Sequence, residues 1–147
     1  MPVKLWLAMM IALTLAVSGC EYLPISGGQL DGEVVPLPDA WSVVAAPDII
    51  QLETNPKDPY SVNLWIIGDG ADLYVYAGAN RATWVEHIEQ DPRVRLGIDG
   101  QLFELRAERV HAADEFKSFS DKWEAKYGNR PRNEDVAESY LFRLLPR

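Results

Sequence analysis

The stretch YSVNLWIIGDGADLYVYAG, Tyr60 to Gly78, alternates apolar residues with others on both sides of a Gly/Asp cluster. Strand side chains alternate between the two faces of a sheet. Val62, Leu64 and Ile66 therefore share one face, and Ser61, Asn63 and Trp65 the other. Gly and Asp tolerate positive φ, so GDGAD reads as a hairpin turn. The return strand, Leu73 to Gly78, points Leu73, Val75 and Ala77 inward and Tyr74 and Tyr76 outward. An apolar face this narrow, repeated in several short strands, must be covered or closed on itself. That requirement governs the rest of the chain.

The same period of two recurs in DIIQLET (Asp48 to Thr54), RVRLGID (Arg93 to Asp99), LFELRAERV (Leu102 to Val110) and ESYLFRLLP (Glu138 to Pro146). Two segments change to a period near 3.6. ATWVEHIEQDP (Ala82 to Pro92) places Trp84, Val85 and Ile88 on one helical face and ends at Asp91-Pro92. Asp114 to Tyr127 spaces Phe116, Phe119, Trp123 and Tyr127 as a helix does, with Gly128 suited to its C-cap. The order predicts a mainly β domain. About six antiparallel strands with two flanking helices close most readily into a small barrel.

The N-terminus reads as an export segment. Lys4 is followed by an uncharged run from Leu5 to Val17, close to the ~7–15 residues of a secretory apolar region and short of the ~20 that span a bilayer. Val17-Ser18-Gly19-Cys20 then resembles a bacterial lipobox, in which the cysteine is lipidated and becomes the first mature residue. Cys20 is the single cysteine of the 147-residue chain, so no internal disulfide is possible. Glu21 is not the aspartate that resembles an inner-membrane retention signal. The expectation is a signal peptide over 1–19, a Gly- and Pro-rich tether over 20–40, and a barrel domain over 41–147. The protein is then held in the cell envelope, on the outer membrane facing the periplasm. An uncleaved N-terminal anchor with an incidental cysteine is the alternative.

Charge narrows the function classes. The formal net charge is −8. Lys4 is the sole charge in 1–19, so removing that segment takes −8 to −9. An acidic body opposes binding to nucleic acid and to anionic lipid, which leaves attachment to the acyl chains. With His87 and His111 as the two histidines, no zinc site is expected. Each histidine reads as structural, and Asp48, Asp58, Asp69 and Asp72 read as turn residues. Arg93, Arg95, Arg106 and Arg109, with Glu104 and Glu108, read as ion pairs on an outer face.

Taken in order, NLWIIGDGADLYVYAG, RATWVEHIEQDPRVRLGIDG and KYG followed by LFRLLPR resemble the FMN-binding split β-barrel superfamily. This is the group of pyridoxamine-phosphate-oxidase-like proteins and deazaflavin-dependent nitroreductases. The similarity runs from about Ile49 to Arg147. It implies a six-stranded split β-barrel, a homodimer, and a flavin (FMN or a deazaflavin) in a groove between subunits. Carried onto YAGANRATW, it implies that Arg81 meets the phosphate, with Asn80 and Thr83 donating beside it. Trp84 takes the place of an aromatic seen in related nitroreductases, and Ser61 and Asn63 lie near the ring. Arg81 is the one basic residue in that segment and could instead pair with Glu86 or Asp72. A tryptophan at the Trp84 position is more often the core anchor of an amphipathic helix than a ring-stacking residue. Two functions follow: a lipid-anchored split barrel that binds a small-molecule ligand or a partner protein without catalysis, or a flavin- or deazaflavin-dependent reductase.

Overall fold

The computed structural model describes residues 27–147; the segment 1–19 expected to direct export, Cys20 and the chain up to residue 26 lie outside the described residues. Seven strands and three helices follow in the order β1 (Glu33–Val34), α1 (Trp41–Val44), β2 (Ile49–Thr54), β3 (Tyr60–Asp69), β4 (Asp72–Tyr76), α2 (Thr83–Gln90), β5 (Arg93–Ile98), β6 (Gln101–Arg109), α3 (Ala113–Tyr127) and β7 (Leu141–Pro146). The sheet order is β1-β6-β5-β2-β3-β4-β7, and β6 also pairs with β7. That last ladder, Leu105 opposite Pro146 through Arg109 opposite Phe142, closes six antiparallel strands into a barrel. The mainly β class and the six-stranded barrel expected from the periodicity are both observed.

Turn chemistry sets the register. Asp69 pairs with Asp72, and Gly70 in the tight turn between them has φ 57°. Ile98 pairs with Gln101 across Asp99 (φ 50°) and Gly100 (φ 77°), so both central residues are left-handed, the turn that Asp-Gly favours. The last strand starts three residues later than expected. Glu138 and Ser139 turn back on Asp135 through their N–H groups, and the Tyr140 N–H is bonded to the Gly78 carbonyl.

The inward residues are the expected ones. Leu52, Ile66, Leu73, Val75, Val94, Leu96, Leu105 and Leu144 are buried in one cluster. Helix α1 closes the barrel end that carries the two tight turns. Its Trp41 meets Phe103 edge-on at 5.2 Å, and its backbone lies so close to β3 that a Cβ on Gly68 would stand 2.6 Å from that of Ala45. Helix α2 closes the other end with Trp84, Val85 and Ile88. A second cluster lies outside the barrel, where α3 lays Phe116, Phe119 and Trp123 on Tyr74, Ile67 and Leu141. The outward tyrosines of β4 are thus covered by a helix rather than by water.

Part of the segment expected as a tether is packed. Gly27 exchanges two backbone hydrogen bonds with Ser61, each 2.8 Å. Leu30 is buried, and Glu33–Val34 runs parallel to β6. The strap from Gly27 to Val34 runs from the edge of β3 past Glu53 of β2 and Arg95 of β5 to the edge of β6, so the packed chain begins before Trp41.

A buried carboxylate holds this strap. Glu53 accepts from Arg95 Nε (2.7 Å) and Nη2 (2.8 Å) and from the Leu30 N–H (2.6 Å). Burial pushes the Glu53 carboxyl up, but these bonds outweigh it and hold it below its ordinary value of 4.5. Its stabilising contribution is therefore present above the unfolded-state pKa and is lost as pH falls through the lower folded-state value. Glu53→Ala is expected to cost about 2 kcal/mol, less than a fully buried pair because Arg95 keeps some exposure. Glu53→Gln is expected to flatten the loss of stability below about pH 4.5, read by thermal melts across pH. An unchanged acid limb would contradict this role.

Candidate functional site

Where α3 ends, its aromatic face meets the outer side of β3. Trp65, on the outward register of β3, stacks on Tyr127 with centroids 4.6 Å apart and planes at 17°. Trp123 lies 5.3 Å from Trp65 and meets Tyr76 edge-on at 5.4 Å. Tyr127 fixes this group. Its hydroxyl accepts from the Ile66 N–H (3.0 Å) and lies within donating reach of Asp48 O (2.8 Å) and Ile66 O (2.9 Å). Burial pushes that phenol up to about 12, so it stays protonated and able to donate. Lys126, one residue earlier, donates to the carbonyls of Ala45, Pro47 and Ile66 at 2.8–2.9 Å and ties the end of α3 to the barrel. Burial pushes its ammonium pKa down.

Trp65, Tyr76 and Trp123 form one wall of a cleft of about 760 Å³. Opposite them are Ala77 to Asn80, which leave the end of β4, and Asn129 to Asn133, which follow α3. Gly78, at φ 64°, lets the chain turn there, and its carbonyl takes the Tyr140 N–H at 2.8 Å. Tyr76 donates to the Asn133 carbonyl at 2.5 Å and holds the second rim in place. The indole N–H of Trp123 is buried without a hydrogen-bond partner, a cost of about 1–3 kcal/mol. Asn80, Asn129 and Asn133 add amide donors and acceptors. A flat ring with polar edges is the ligand shape that such a wall accepts.

The rim is cationic in residue type but not in net charge. Arg130 pairs with Asp121 (3.1 Å), Glu124 (2.8 Å) and Glu134 (2.7 Å). Those carboxylates raise the Arg130 pKa further. Arg132 is exposed and takes part in no ion pair among the described residues.

The residues expected at a flavin site are scattered. Asn80 lines the cleft. Arg81 turns back on α2, donating Nε to Glu89 at 2.9 Å and Nη1 to Glu86 at 3.2 Å, with Nη2 also on Glu89. Thr83 is exposed at the start of α2. Trp84 is buried in the barrel, edge-on to Phe142 at 5.8 Å. Ser61 is buried under the strap, while Asn63 stays exposed opposite Gln51. Cys20 lies outside the described residues. The cleft instead gathers Trp65, Tyr76, Trp123 and the loop after α3. The signal for Trp65 was a large apolar ring on the outward register of a strand. The loop NRPRN carried no periodicity to place it.

No family model and no curated protein matches this chain. Solved structures do. A protein provisionally described as a 5-nitroimidazole antibiotic resistance protein of Bacteroides thetaiotaomicron superposes with a TM-score of 0.59 at 12% identity, over 86% of this chain and 90% of that one. One provisionally described as a pyridoxamine 5'-phosphate oxidase of Listeria innocua gives 0.55 at 16%, over 71% and 88%. An F420 reductase gives 0.51 at 19%, over 76% and 96%. The chain therefore has the split-barrel fold of the pyridoxamine-phosphate-oxidase-like and nitroreductase-like proteins, and at these identities the likeness is one of fold.

Burial separates the two tryptophans that the chemistry could use. Trp84→Ala is expected to cost about 3–5 kcal/mol in denaturant unfolding. Trp65→Ala should cost about 1–2 kcal/mol, because Trp65 remains 43% exposed. The reverse order would contradict the assignment of Trp84 to the core and Trp65 to the cleft.

Proposed function

We propose that this is a lipid-anchored envelope protein whose split-barrel domain binds a small planar ligand of flavin type in the cleft beside Trp65, without catalysing a reaction through its own side chains. The aromatic wall of Trp65, Tyr76 and Trp123 carries the reading. Among the described residues that line the cleft there is no carboxylate, imidazole, thiol or amine to serve as general acid or base. Binding is the activity this lining supports best. Anchoring through Cys20, a place on the outer membrane facing the periplasm, and pairing into a homodimer belong to the same proposal and rest on the sequence.

A second reading is favoured by the fold likeness to an F420 reductase. In that reading a bound flavin or deazaflavin supplies hydride chemistry, and the cleft binds and orients it. The expected phosphate contact does not fit such a nucleotide cofactor, since Arg81 is engaged on Glu86 and Glu89, and Ser61, expected near the ring, is buried. No catalytic step is assigned to it here.

The full-length protein in detergent is expected to bind riboflavin, with quenching of tryptophan fluorescence. Trp65→Ala should weaken the affinity by about tenfold, the loss of one aromatic anchor. Absence of binding would contradict the reading. Turnover of a nitroaromatic substrate with a reduced deazaflavin would favour the reductase instead. Labelled palmitate should enter the protein in cells and be lost in Cys20→Ala; absence of label would contradict the anchor.

A further inference from the structure

Resting on that cleft reading, we propose that the ligand is an unphosphorylated planar heteroaromatic ring, of the riboflavin or lumiflavin kind, and that the chain discriminates against the phosphorylated nucleotide. A phosphate needs free donors or cations near the ring site. Arg81 spends both edges of its guanidinium on Glu89 and Glu86. One cation between two carboxylates leaves a local charge of −1. The N-terminus of α2 has Ala82 as its N-cap and no side-chain cap, so it offers free N–H groups to an anion. The acidic balance of Arg81, Glu86 and Glu89 stands directly beside them.

The other rim repeats the pattern. Arg130 is matched by Asp121, Glu124 and Glu134, and adding Arg132 leaves that rim at −1 as well. Glu138 extends the acidic side through its bond with Asn133 Nδ2 at 3.3 Å. The Ser61 end is closed by the strap, where even a Cβ on Gly27 would lie 2.7 Å from the Ser61 hydroxyl. A dianionic monoester brought to either rim meets an acidic surround. A neutral ring meets an aromatic wall and amides.

Two devices follow from one arrangement. The wall selects for the ring, and the carboxylates that outnumber the arginines at each rim, Arg132 included, select against the phosphate. Releasing Arg81 from its carboxylates should restore a cation that can form a bidentate bond to phosphate.

Calorimetric titration of the full-length protein with riboflavin and with FMN tests this. Riboflavin is expected to bind at least about threefold more tightly than FMN, with the difference shrinking as salt rises. E86Q/E89Q is expected to tighten FMN by about tenfold while leaving riboflavin unchanged. FMN binding about tenfold tighter than riboflavin, and losing that advantage in Arg81→Ala, would overturn the inference and leave the cleft reading standing. Equal affinities that E86Q/E89Q does not alter would also overturn it. Binding of neither compound would sink the cleft reading itself.

Discussion

Everything in this fold depends on β6 pairing with two neighbours. It meets β5 along one edge and β7 along the other, and this second ladder turns an open sheet into a closed barrel. Closure removes the exposed edges among the six barrel strands and gives the inward residues a common, dry interior. Leu52, Leu73, Leu96 and Leu105 then sit at or near complete burial. The barrel ends must also be stopped against water. The short helix at Trp41 and the amphipathic helix at Trp84 do this, and both tryptophans are consumed by the task.

Closure also decides what the outside can be used for. The outer wall is divided between two coverings. The strap from Gly27 to Val34 runs from the edge of β3 to the edge of β6 and is fixed by Glu53 and Arg95. Helix α3 covers β4 and part of β3 and β7 with rings. Trp65 on β3 lies beside the end of α3, and the cleft opens there, between that end and the loops after β4 and α3. The phenol of Tyr127 and the ammonium of Lys126, tied to backbone atoms around Ile66, hold the end of α3 in place.

Much of this was legible in the residues. Alternation identified the barrel strands and the direction of their side chains, because a period of two has one meaning when one face is dry. Asp99-Gly100 and Gly70 announced their turns. The spacing of Phe116, Phe119, Trp123 and Tyr127 announced a helix with an aromatic face, although not that it would cover Tyr74 and Tyr76. The strap was not legible, since a Gly- and Pro-rich stretch carries no period and its attachment depends on Glu53, distant in the chain. The site was legible only at Asn80. Pairing of Arg81 with Glu86 was legible as an alternative to the phosphate, but Glu89 was not, because it comes within range only once α2 forms. Trp84 carried both readings, core anchor and ring contact, because a helical face does not say whether it closes a barrel or lines a cleft; burial settles it as the anchor.

The central claim is that a flat ring binds against Trp65 and Trp123 and not against the tryptophans that stop the barrel. The indole N–H resonances of the full-length protein, followed by two-dimensional NMR during addition of riboflavin, address it residue by residue. The account predicts ring-current shifts at Trp65 and Trp123, with Trp41 and Trp84 unmoved. Shifts at Trp84, or no shift at Trp65 and Trp123 when riboflavin is in large excess, would contradict it.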